Sequence, residues 1–188
     1  MSAMQTTQTN IEGLLILQPA LYADERGWFM ESFQEERYQG LLGTDIHFVQ
    51  DNLSFSKRGV LRGLHYQAPP FAQGKLVSVL HGRVMDVAVD IRFGSPTFGQ
   101  HVAVELSAEN HKQFWIPAGF AHGFIALEDD TVFAYKCTNV YSREHDRGVR
   151  WNDSALGIRW GIDNPIVSEK DRVHPLLKDI QKDFVFES

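Results

Sequence analysis

The sequence predicts a mainly β fold, a barrel or sandwich of short strands with a few short peripheral helices. Between residues 47 and 140 apolar and polar residues alternate in short runs, the period of half-buried strands. Gly, Pro or acidic clusters interrupt these runs about every ten residues, as in sandwiches and barrels. Helical spacing shows in only two short stretches. A chain of 188 residues can bury a core of its own, so we expect one domain over 1–188, with 1–10 as a flexible tail.

Taken in order, residues 13–17 form an apolar run ending before Pro19 and predict a first strand. Residues 23–27 are a polar turn closed by Gly27. A strand is expected over 28–33. A helix is expected over 34–42, with Tyr38, Leu41 and Leu42 on one side and Gly43 as its stop. Residues 47–55 alternate and put Gln50 and Asn52 on one face. Residues 59–67 follow as a short run fenced by glycines. The runs 75–80 and 83–91 flank His81 and Gly82, a hairpin signal. In the second run Met85, Val87, Val89 and Ile91 share a face, with Asp86 and Asp90 opposite. Residues 94–96 break the pattern, and Val102, Val104 and Leu106 resume it. Further strands are expected over Gln113–Ile116, 121–127 and 131–140, the last two joined by the acidic turn 128–130. Beyond Trp151 the periodicity fades into an irregular connection. Ser168, three residues before Asp171, predicts the cap of a short helix ahead of Pro175.

Composition excludes several functions. A net charge of −6 argues against generic nucleic-acid binding, though not against a local basic pocket. The single cysteine, Cys137, permits no intramolecular disulfide and suits a reducing compartment. No apolar run approaches the roughly 20 residues that span a bilayer, and residues 1–10 lack a charged-then-apolar signal pattern. A cytoplasmic protein with no membrane and no nucleic-acid partner is expected.

Two segments carry the chemistry: residues 59–67, with Gly59, Arg62, His65 and Gln67, and residues 117–124, with Pro117, Gly119 and His122. They resemble the two signature segments of the cupins, which implies a double-stranded β-helix, or jelly-roll, barrel. In metal-binding cupins the first segment carries a second His and then a Glu. Here Gln67 replaces that His, and Ala68, Pro69, Pro70 and Phe71 occupy the region of the Glu. Two histidines are too few for a catalytic zinc or iron site, which takes three or four nitrogen or oxygen ligands. No metal and no cofactor are expected.

The likeness extends further. Residues 24–27, 48–52, 60–67, 73–77, 86–90, 95–99, 115–117, 119–124, 135–136 and 151–152 together resemble the dTDP-4-dehydrorhamnose 3,5-epimerase family, in family order and over roughly residues 11 to 175. The resemblance implies a dTDP-linked 4-keto-6-deoxyhexose substrate inverted at the two carbons beside the ketone. A C–H next to a ketone is a weak acid, so the chemistry needs a base, a stabiliser for the enolate, and an acid on the opposite face. His65 suits the base, because imidazole titrates near neutrality. The resemblance makes Asp171 its partner, although the same residue also reads as a helix-capping acid. It makes Tyr135 the acid, although a core tyrosine fits the pattern equally. It sets Lys75 beside the enolate, where composition alone reads a surface lysine. Arg26, Arg62 and Lys170 become the contacts for the diphosphate, arginine being able to grip phosphate in a bidentate way. Glu31, Gln50, Asn52, His122 and Asp146 match further substrate contacts. Asp146 stands where the family commonly has the longer Glu. A homodimer exchanging edge strands is implied as well, with residues 26–31 completing the partner's pocket.

One conflict is local. Strict alternation sets His65 with Leu61, Gly63 and Gln67 and turns Arg62 to the other face with Leu64. A bulge at Gly63, or an Arg62 that curls over the rim of the strand, would each resolve it. Competing readings are an epimerase of one carbon only, a ketoisomerase, a metal-dependent oxygenase, and a non-catalytic sugar-binding or storage protein. His65, Tyr135, Lys75 and Asp171 together argue for proton transfer, which binding alone does not need.

Overall fold

The computed structural model describes residues 4–186. In chain order its elements are β1 (Gln5–Gln8), β2 (Leu15–Gln18), β3 (Leu21–Asp24), β4 (Gly27–Met30), α1 (Glu35–Leu42), β5 (Gln50–Ser56), β6 (Val60–Gln67), β7 (Lys75–His81) and β8 (Arg83–Asp90). They continue with β9 (His101–Ser107), β10 (Gln113–Ile116), β11 (Phe120–Ala126), β12 (Thr131–Cys137), β13 (Asp146–Gly148), β14 (Ile166–Val167) and α2 (Glu169–Arg172). The fold is mainly β, as expected for a jelly-roll barrel. One sheet runs β1-β2-β10-β7-β12-β5 and the other β13-β6-β11-β8-β9, with β14 beside β6; β3 and β4 form a separate hairpin. No helix among the described residues is long and apolar enough to cross a membrane.

The core lies between the two sheets. Val77, Phe114, Ile116 and Phe133 from the first sheet meet Val84, Ala88, Leu106, Phe120 and Phe124 from the second. Phe124 and Phe133 stack at 4.1 Å between ring centroids. Burying each such ring stabilises the fold by roughly 1.5–3 kcal/mol. A second apolar layer lies behind the second sheet, where Leu61, Leu64, Val87, Val89 and Ile125 are covered by Val149, Leu156, Trp160, Val167 and Leu177. The irregular connection after Trp151 is therefore a cover. It is pinned by a hydrogen bond from the Leu177 amide to Asp153 Oδ2 (2.7 Å) and by one from Trp160 Nε1 to the Trp151 carbonyl (2.9 Å). Both faces of the second sheet are covered, so every residue of β11 is buried and alternation disappears there. The first sheet keeps an uncovered stretch on which Leu53, Phe55 and Leu80 are exposed.

Three expectations are corrected. Within the stretch expected to be a flexible tail, Gln5–Gln8 pairs antiparallel with β2 as an edge strand; Met1–Ala3 lie outside the described residues. The runs flanking His81 and Gly82 do not pair as a hairpin: β7 belongs to the first sheet and β8 to the second. Gly82 turns that corner at φ +76°, where a Cβ would lie 2.5 Å from Thr131 Oγ1. In α1 only Tyr38 of the expected apolar side is fully buried, while Leu41 is exposed. Elsewhere the helix follows its sequence signals, with Gln34 accepting a hydrogen bond from the Arg37 amide at the N-terminus and Gly43 closing the C-terminus.

Candidate active site

The site is a cavity of about 510 Å³ between the sheets, continuous with a polar one of about 390 Å³ through His65, Lys75, Tyr135 and Lys170, which line both. Strand register explains the convergence. On the first sheet Tyr135 lies level with Asn52 and Val77, and Cys137 level with Gln50 and Lys75, so alternate residues of three strands point the same way. On the second sheet β6 brings His65 level with His122 of β11.

Arg62 and His65 share the cavity, which settles the local conflict in favour of a bulge. On β11 only one residue separates His122, the partner of His65, from Phe124, the partner of Arg62, whereas β6 has two between them. The extra residue falls at Gly63–Leu64. Leu61, Leu64 and Tyr66 then join the outer apolar layer, while Arg62, His65 and Gln67 turn inward. Gly63 adopts φ +136° with its Cα against Gly123, and a Cβ there would lie 2.5 Å from Gly123 Cα. Arg62 donates from Nε to Ser56 Oγ (3.2 Å) and from Nη2 to the Phe55 carbonyl (3.0 Å), which hold it against β5.

His65 Nε2 meets Asp171 Oδ1 at 2.6 Å. The capping role belongs to Ser168, whose hydroxyl accepts from the Asp171 amide at 3.1 Å. Asp171 is thereby free to reach His65 and to accept from the Gly63 amide (3.2 Å). Burial works to raise the Asp171 carboxyl, but the neighbouring His174 and His65 and the Gly63 amide outweigh it and hold it well below the carboxylate range. Burial pulls His65 below its usual value, partly opposed by Asp171 and helped by Lys75 and Lys170, which favours the neutral imidazole. Burial raises the Tyr135 hydroxyl and keeps it a proton donor. Burial also lowers the Lys75 ammonium, against the pull of Cys137, Asp146 and Asp86.

Residues 8–179 match the dTDP-4-dehydrorhamnose 3,5-epimerase family. A Shigella flexneri protein of that name is 53% identical over 168 residues, covering 89% of this chain and 93% of the relative. One from Salmonella typhimurium is 52% identical over 175 residues, covering 93% and 96%. The chain belongs to the dTDP-4-dehydrorhamnose 3,5-epimerase family. A crystal structure of dTDP-6-deoxy-D-glucose-3,5-epimerase from Legionella pneumophila, in complex with dTDP-4-keto-L-rhamnose, matches with a TM-score of 0.95 at 51% identity, covering 99% of this chain and 100% of that one.

Of the residues that the family resemblance singled out, Arg62, His65, Lys75, His122, Tyr135 and Asp171 line the first cavity. Gln50, Asn52 and Asp146 line the second, and Lys170 touches both. Arg26 and Glu31 line neither cavity. Arg26 sits 85% exposed at the tip of the β3–β4 hairpin in an ion pair with Asp24, and Glu31 pairs with Arg37 (2.8 Å). His122 is committed to Asp86, with Nε2 2.9 Å from Oδ2 in a buried pair. Asp146 accepts from the Tyr141 hydroxyl (2.9 Å) and pairs with Lys170.

The cupin metal positions do not fit a metal. Gln67 spends its amide on the Phe71 and Val140 carbonyls and its oxygen on the Ser142 amide, and His122 is engaged by Asp86. His65, Asp171 and His174 do bring one ligand atom each within 4.8 Å of one another. However, His65 Nε2 and Asp171 Oδ1 stand 2.6 Å apart, a hydrogen bond too short to span a cation bound at about 2.0–2.2 Å from each ligand. Sequence reasoning missed His174 and the pairing of Asp86 with His122. Signals for both existed: Asp86 lies opposite the apolar face of its strand, and His174 follows Asp171 by three residues, one helical turn.

Proposed function

We propose that the protein is a cofactor-independent epimerase that inverts C3 and C5 of dTDP-4-dehydro-6-deoxy-glucose to give dTDP-4-dehydro-L-rhamnose. The observation that carries this reading is His65, oriented by Asp171 at 2.6 Å, in one cavity with Tyr135 from the opposite sheet and with Lys75. His65 removes the proton beside the C4 ketone. The electron pair moves into the carbonyl, and the enolate oxygen is stabilised by Lys75. Tyr135 returns a proton to the carbon from the opposite face and inverts it. Because Asp171 stays ionised, it balances the imidazolium that forms on His65. The polar cavity lined by Gln50, Asn52, Asp146 and Lys170, together with Arg62, accommodates the dTDP group.

Incubation with the 4-keto sugar nucleotide in D2O tests the reaction. Deuterium is expected at both C3 and C5; exchange at neither carbon overturns the reading, and exchange at one alone identifies a single-carbon epimerase. In Tyr135→Phe, exchange is expected to persist while net inversion falls about 100-fold or more, since a positioned acid contributes at least that much. Full double inversion by this variant would remove Tyr135 from the acid role.

The proposal includes a homodimer of single-domain subunits in the cytoplasm. Arg26 and Glu31 lie outside their own cavity, on a hairpin whose Tyr22, Trp28 and Phe29 are exposed. Leu53, Phe55 and Leu80 add an uncovered apolar stretch. Apolar exposure of this kind supports association, and the hairpin then reaches the partner's cavity. Light scattering is expected to give twice the 21.4 kDa of the chain. Arg26→Ala is expected to raise KM about 10-fold with kcat nearly unchanged, and a monomer with unaltered KM would remove the shared site.

A further inference from the structure

His174 plays no part in the mechanism above, yet it stands within the site. Its ring is 5.6 Å from that of His65, nearly perpendicular, and its Nε2 lies 3.6 Å from Asp171 Oδ1, the same oxygen that His65 engages. Nε2 is buried without a hydrogen-bond partner among the described residues. An unpaired buried polar nitrogen is costly, and here the Asp171 carboxylate oxygen lies at 3.6 Å, just beyond hydrogen-bond distance. The ring is deliberately accommodated: it packs against Gly148 of β13, where a Cβ would lie 2.5 Å from Nε2. Its backbone carbonyl is fixed by Arg150 Nε at 3.0 Å.

We propose that His174 is a positioning residue of this epimerase, a second imidazole set 3.6 Å from the Asp171 carboxylate that tempers its pull on His65. The inference rests on the proposed role of His65 as base. With one donor, Asp171 would place its full charge on His65 and favour the imidazolium, which cannot abstract a proton. A second imidazole 3.6 Å from the same oxygen attracts part of that charge electrostatically and leaves more of the base neutral. Titratable and charged groups share the two cavities with His65 or stand beside it. Asp171, His174 and Lys170 come from the C-terminal segment, Lys75 from β7, His122 from β11, Asp146 from β13, Tyr135 and Cys137 from β12, Arg62 and Tyr66 from β6 itself, and Tyr141 from the loop after β12. His122 is already paired with Asp86, and Asp146 with Lys170. His174 is thus the group on this list that stands beside both Asp171 and His65 without another charged partner among the described residues.

The test is the titration of the His65 ring by NMR in the substrate-free protein, beside the pH profile of kcat/KM. In His174→Phe, which keeps a ring but loses the hydrogen, both the His65 titration and the acidic limb of kcat/KM are expected to move to higher pH by roughly half a unit or more. KM should stay near the parent value. His174→Gln, which restores an N–H donor, should return both toward the parent. Gly148→Ala, which displaces the ring, should reproduce the shift without touching the histidine. Unmoved titration in folded His174→Phe and Gly148→Ala overturns the inference, as does an equal shift in His174→Gln. The NMR arm needs no turnover, so it stands apart from the assignment of the reaction: loss of the epimerase reading would show as absent D2O exchange with the His65 shift still present.

Discussion

His65→Ala is expected to lower kcat by about 1,000-fold or more and to abolish deuterium exchange at both C3 and C5, with the protein still folded. A positioned general base contributes roughly 100- to 10,000-fold, and 1,000-fold corresponds to about 4 kcal/mol of barrier. Loss at both carbons follows from the proposal that His65 is the base for both, since His122 in the same cavity is engaged by the buried Asp86. Folding should survive because β6 is anchored by Leu61, Leu64 and Tyr66 in the outer layer, while the His65 ring faces the cavity. Asp171 would keep the Gly63 amide as a donor. Circular dichroism and exchange-detected NMR of the substrate check the two halves of this expectation. Residual exchange at C5 alone would assign that carbon to a different base.

Much of this site was legible in the sequence because strand periodicity fixes direction. Phe133 is apolar enough to be inside, so Tyr135, two residues on, faces the same way, and the structure bears this out with both on the cavity wall. Gln50 and Asn52 follow by the same rule. Periodicity says nothing about which sheet a strand joins. The corner at Gly82 therefore read as a hairpin, although the demand for a glycine there comes from Thr131, far away in the chain. Nor does alternation report a covered outer face: β11 is apolar on both sides only because the segment around Trp160 and Leu177 folds over it. The choice between an Asp171 that caps and one that pairs with His65 was beyond local pattern for a similar reason. Both start from the same helical turn; Ser168 takes the cap, and Asp171 reaches His65. Arg26 and Glu31 mark a limit of the sequence reading: the motif match singled them out, yet among the described residues they pair with Asp24 and Arg37 and line neither cavity.

Gly63→Ala is expected to be the most damaging single-methyl change in the chain, costing about 3 kcal/mol or more of stability and most of the activity that remains. Two costs add. A Cβ at φ +136° is in a region that L side chains rarely enter, and it would press on Gly123 Cα at 2.5 Å and the His122 carbonyl at 3.0 Å. Neither neighbour is a flexible side chain, so β6 and β11 must separate, and forced insertion into close-packed structure costs about 1–3 kcal/mol beyond the conformational strain. Gly59→Ala is the informative control. Gly59 also has positive φ, +82°, but a Cβ there meets only Ile162 Cδ1 at 4.0 Å, so backbone strain of about 1–2 kcal/mol is all it should cost. Denaturant unfolding of the two variants separates the terms: the midpoint of Gly63→Ala should fall well below that of Gly59→Ala with similar slopes. Activity divides them further. The bulge at Gly63 is what turns Arg62 and His65 into one cavity, so straightening β6 to relieve the methyl would send one of them to the outer layer. Folded Gly63→Ala should therefore lose kcat/KM about 100-fold or more, the scale of losing a positioned base, whereas Gly59→Ala retains it. Equal stability in the two variants would mean that the close approach of Gly63 and Gly123 does not hold the bulge in place.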